Sequence, residues 1–109
     1  MSELQETVAR SADAAELHAT APTLLLELQT LLGAMAATAT AGTERGRRPF
    51  RPTADWSQQL GELAYGVYLL ADQTGVELDD VVSTTARRTA ERGARAKAAD
   101  EQGWPFETA

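Results

Sequence analysis

An all-α fold, a four-helix bundle completed by homodimerisation, is what this sequence predicts, and three observations carry the expectation. Apolar residues recur at steps of three and four along the main segments, and no stretch alternates as a half-buried strand would. Breaks fall where helices cannot continue: at Thr20-Ala21-Pro22, between Thr40 and Asp55, and at Gly75. The segment from Thr23 to Ala39 is apolar over so much of its circumference that one small chain would struggle to cover it. With 109 residues the chain reads as one domain with a modest core.

The first helix is expected from Ser2 to about Ala19. Ser2 and Gln5 stand at capping-box spacing, and Leu4, Val8, Ser11 and Ala15 form a weak stripe. Pro22 then suits the first turn of a second helix, Thr23 to about Ala39, because a first-turn N–H has no helical partner to lose. Leu24, Leu28, Leu31 and Met35 share one seam of that helix, and Leu25 and Leu32 share the next. Residues 40–55, TAGTERGRRPFRPTAD, carry two glycines, two prolines and four arginines and read as an arginine-rich loop. Asp55 is a good N-cap type for a third helix with Trp56, Leu60, Leu63, Val67 and Leu70 along its seam. Gly75 is its expected left-handed stop. A fourth helix follows, with Asp79 and Asp80 in its first turn and Leu78, Val81, Val82 and Thr85 turned inward. The tail, residues 100–109, brings Trp104 and Phe106 around a proline and is expected to dock.

Composition excludes several kinds of chemistry. Without cysteine there is no disulfide, thiolate metal site or cysteine nucleophile, and the single histidine, His18, leaves no histidine-rich zinc site. A net charge of -6 argues against a general nucleic-acid surface. No apolar run approaching the roughly 20 residues of a bilayer span is evident, nor is a secretory leader pattern. The expectation is a soluble cytoplasmic protein with no membrane partner.

The stretch WSQQLGELAYGVYLLADQTGVELDDVV, Trp56 to Val82, resembles the second half of the MazG-like, all-α nucleoside triphosphate pyrophosphohydrolases. Leu69-Leu70-Ala71 through Gly75-Val76-Glu77-Leu78 matches the family's passage into its last helix, and Leu24 through Met35 matches its apolar lead-in more loosely. The resemblance implies a MazG-like helical bundle in which Glu-x-x-Glu on one helix and Glu-x-x-Asp on the next surround magnesium. Four carboxylates in that arrangement supply the oxygen shell that magnesium requires, and the ions polarise the phosphoryl group. In this chain Leu31 and Ala34 take the first two positions, Gln59 the third, and only Glu62 remains acidic. Glu27 is the single acid of its helix, a displaced ligand only if the register moves by a turn. Thr85 and Thr89 replace the family's phosphate-contacting lysine and asparagine, while Arg92 matches a basic position beyond them.

A dimeric MazG-like protein that has lost magnesium-dependent pyrophosphohydrolysis, needs no cofactor and binds a phosphorylated small molecule or a protein partner is therefore expected. Arg47, Arg48, Arg51 and Arg92 are its candidate ligand-binding residues, since guanidinium groups match phosphate oxygens in pairs. The bland alternative is a solvated connector. Glu62 is the candidate catalytic acid, with Glu27 and Glu62 as weak metal candidates if magnesium is retained. That alternative is an active enzyme converting a nucleoside triphosphate to its monophosphate and pyrophosphate. Metal-free chemistry on a small molecule, with Glu62 or Tyr65 as acid or base, is a further one.

Overall fold

The computed structural model describes residues 2–101, so the expected docking of Trp104 and Phe106 lies outside the described residues. Four helices run in order, α1 (Glu3–Ala15), α2 (Ala21–Gly42), α3 (Trp56–Gln73) and α4 (Leu78–Glu101), and no strand occurs among the described residues. The chain divides into two compact units, Met1–Glu77 and Leu78–Ala109. In the first, α3 packs against both α1 and α2. Its core is Val8, Ala12, Leu24 and Leu69, with Ala19, Tyr65, Tyr68 and Leu70 packed around it.

α1 starts as its capping signal predicts: the Ser2 hydroxyl accepts from the Gln5 N–H at 3.0 Å. The Gln5 side chain reaches elsewhere, its Nε2 donating to the Val76 carbonyl at 2.8 Å beyond the end of α3. Gln5 is only 1 % exposed, and Leu4 is 54 % exposed. The buried face is Gln5, Val8 and Ala12, one position round from the expected stripe. A buried amide is tolerable there because it is itself hydrogen-bonded, to a carbonyl of the α3–α4 connection. α1 also ends earlier than expected. Glu16 takes a left-handed conformation (φ 55°), and the Leu17 N–H donates to the Ala12 carbonyl at 2.9 Å. That closure is usually made by glycine, so glutamate gave no warning of it.

The α1–α2 connection is tied to the end of α3 through polar atoms. The Ala19 N–H donates to Gln73 Oε1 at 3.2 Å, and Gln73 Nε2 donates back to the Ala19 carbonyl. His18 sits between Gln73 Oε1, 3.1 Å from Nδ1, and Asp13 Oδ1, 2.5 Å from Nε2. α2 then begins at a Thr20 cap with proline in its first turn. It extends to Gly42, past the expected end at Ala39, because alanine and threonine carry the helix on until Thr43 caps it.

Leu24 and Met35 are buried on the expected seam of α2, whereas Leu25, Leu26 and Leu32 are more than half exposed. At 22 residues, with a window of mean hydropathy 1.3, α2 is long and apolar enough by length and composition to cross a membrane. The absence of a bilayer-length run expected from the sequence is corrected accordingly: α2 starts two residues before the expected Thr23 and ends three past Ala39. α3 opens at Asp55 without the expected side-chain cap. Its end follows expectation, with Gly75 left-handed (φ 73°) and the Val76 N–H donating to the Ala71 carbonyl at 2.9 Å. Gly66 lets α2 approach closely, since a Cβ there would lie 2.5 Å from Leu28 Cδ2.

The second unit is described by α4, with Asp79 and Asp80 in its first turn. Val81 and Val82, expected to face inward, are 49 % and 56 % exposed, and Thr85 is exposed as well. Beyond Val82 no large apolar residue returns at helical spacing, so α4 has no continuous apolar stripe to bury.

Candidate functional site

The groove between α2 and α3 holds two pockets, and the charged candidates divide between them by sign. The first, about 310 Å³, lies at the C-terminal end of α2 and the start of α3. Met35, Thr38 and Ala39 form one wall, Trp56 and Gln59 another, and Arg48, Pro49, Phe50 and Arg51 come from the loop. Two of the four predicted phosphate-binding arginines, Arg48 and Arg51, therefore share this pocket. Arg47 is exposed and does not line it, and Arg92 lies on α4 in the second unit.

The loop backbone explains how the arginines are presented. Glu44, Arg45 and Gly46 adopt positive φ in succession, at 50°, 61° and 87°. Left-handed conformation costs roughly 1–2 kcal/mol for a residue with a Cβ, so two of the three positions are strained. Hydrogen bonds hold them: the Arg45 N–H donates to the Thr40 carbonyl at 3.0 Å and the Arg48 N–H to the Thr43 carbonyl at 2.9 Å. The Gly46 N–H donates to the Thr43 hydroxyl at 3.2 Å. The Arg48 Nε lies 3.3 Å from Glu44 Oε1, a solvent-facing pair one turn apart. Arg51 makes no ion pair among the described residues.

Pro49 and Pro52 bracket Phe50 and Arg51, and each restricts the backbone of the arginine before it, Arg48 and Arg51. Phe50 packs edge-on against Trp56, ring centroids 5.0 Å apart and planes at 64°. Such pairs contribute about 0.5–1.5 kcal/mol beyond area burial, and this one pins the loop to the first residue of α3. Trp56 and Gln59 as pocket walls were not foreseen. In the sequence Trp56 belongs to the helix seam, and the local mark of the site is the proline-bracketed Phe50-Arg51.

The second pocket, about 240 Å³, is lined by Leu17, Leu24, Leu28, Leu31 and Leu69, with Glu27, Glu62, Tyr65 and Gly66. Glu27, four residues ahead of Leu31, and Glu62 of α3 thus line one common pocket. Tyr65 has its hydroxyl 2.6 Å from Ser11 Oγ, and Ser11 donates onward to the Val8 carbonyl at 3.0 Å. Since serine has one proton to give, the tyrosine hydroxyl must be the donor to Ser11, which ties it to α1.

Of the about six oxygens that a magnesium ion gathers, the side chains of this pocket offer two carboxylates among leucine methyl groups. Leu31 forms part of the apolar wall, while Gln59 lines the other pocket. Among the described residues no three of His, Asp and Glu gather as a metal-holding group. Compared with family models, with curated proteins and with solved structures, the chain matches none of them.

Proposed function

We propose that this chain is a MazG-like helical protein that has given up magnesium-dependent hydrolysis and binds a phosphorylated small molecule in the arginine-lined pocket, acting as a homodimer. The observation that carries the reading is the separation of charges. A pyrophosphohydrolase must hold phosphates and metal ligands within one site, so that the ions can bridge protein carboxylates to phosphoryl oxygens. Here Arg48 and Arg51 line one pocket with two aromatic rings, and both candidate carboxylates line another. Guanidinium groups meet phosphate oxygens through paired hydrogen bonds, and the Phe50–Trp56 pair offers a ring face or edge to a planar group. The start of α3 at Trp56 adds the positive end of a helix dipole to the same pocket.

Trp56 makes the proposal measurable. In a Trp104→Phe background it is the sole tryptophan. Phenyl phosphate and a nucleoside monophosphate should change its emission saturably, and phenol should not. Arg48→Ala and Arg51→Ala should each weaken binding about tenfold or more, as loss of a charge-assisted hydrogen bond does. Equal binding of phenol and phenyl phosphate would refute the reading.

The competing function, a working magnesium-dependent pyrophosphohydrolase with rearranged ligands, draws on Glu27 and Glu62 lining one pocket. It requires magnesium-dependent pyrophosphate release that Glu62→Ala abolishes.

A further inference from the structure

We infer that the second pocket of the α2–α3 groove is a binding site for a small organic cation with an apolar body, an alkylammonium in its simplest form. Its floor and walls are the side chains of Leu24, Leu28, Leu31 and Leu69, so whatever enters gains most by presenting methylene groups. Every ionisable carboxyl at the pocket is a glutamate, and no lysine, arginine or histidine lines it. Glu27 and Glu62 are both exposed and neither makes an ion pair among the described residues. The pocket is thus negative at its carboxylates and apolar elsewhere, the complement of a cationic amphiphile rather than of a hydrated divalent ion.

The chemistry of the two kinds of cation separates them further. Magnesium sheds water reluctantly and gains nothing from leucine, whereas an ammonium group has three donors, enough for both carboxylates and a water molecule. The Tyr65 hydroxyl gives its proton to Ser11, so only its acceptor lone pairs face an ammonium. At about 240 Å³ the pocket is smaller than most drug-sized sites, which restricts the ligand to a short chain or a single ring. The net charge of -6 favours approach of any cation. This inference is independent of the phosphate pocket, which shares no lining residue with it.

The test is calorimetric or NMR titration of the full chain with n-hexylammonium, n-propylammonium and 1-hexanol at neutral pH. Hexylammonium should bind with about millimolar affinity. Affinity should fall about fourfold for each methylene removed. Glu27→Gln and Glu62→Gln, both at exposed positions that the fold tolerates, should each weaken binding roughly threefold, and together bring it to the level of hexanol. Arg48→Ala should leave it unchanged. Hexanol binding as tightly as hexylammonium, indifference to the double glutamine substitution, or no saturable binding would overturn the proposal.

Discussion

His18 and Gln5 show how single polar side chains hold the first unit together. His18 has an oxygen acceptor at each ring nitrogen, and Gln73 also grips the backbone of Ala19. The Gln73 amide oxygen does most to favour the doubly protonated ring, loss of hydration opposes it, and the Asp13 carboxylate adds to the rise, so the pKa lies above the ordinary 6.5. Because the folded pKa is the higher one, the stabilisation from His18 is complete below about pH 6.5 and fades as pH rises through the folded value. His18→Ala should therefore cost more stability at pH 5.5 than at pH 8.5 in urea unfolding. An equal cost at both would show that His18 contributes by packing alone. The partner of His18, Gln73, lies more than fifty positions away in sequence, and no local pattern pairs them.

At the scale of the helix, glycine has opposite meanings at two positions of α3. Nothing lies within 4 Å of a Cβ built at Gly61, whereas one at Gly66 would meet Leu28 of α2 at 2.5 Å. Gly61→Ala should stabilise the protein by about 1 kcal/mol through helix propensity. Gly66→Val should destabilise it by about 1–3 kcal/mol, because overpacking forces α2 and α3 apart. Equilibrium denaturation measures both, and a Gly66 variant as stable as the native chain would mean that the groove repacks freely. Helix ends were legible in the same uneven way. Pro22 and Gly75 announced a start and a stop through their own backbone restrictions. Glu16 stops α1 in a left-handed conformation that only surrounding contacts can impose.

For the whole molecule, the open question is what covers α2. Leu25, Leu26 and Leu32 stand 54 %, 64 % and 54 % exposed on a helix whose single charged residue is Glu27. Exposed apolar surface on this scale is a contact surface more often than a solvated one. A second copy of the chain is the proposed cover. Sedimentation at tens of micromolar should give a dimer, and Leu25→Lys with Leu32→Lys should give a monomer that stays helical. A monomeric native chain that floats with lipid vesicles would instead assign the surface to a bilayer.

Helix number, their order and several of their boundaries followed from period, capping residues, proline and glycine, because those signals act within a turn or two of chain. Which leucines are buried, and which carboxylate shares a pocket with which partner, depended on how α3 inserts between its neighbours. Gln59 and Glu62 lie three positions apart on one helix, yet they line pockets of different character. Helical phase puts them on the same side of α3, but the neighbouring side chains of α2 and the loop determine the surroundings of each. Contacts of that kind join residues far apart in sequence, and only the packed structure brings them together.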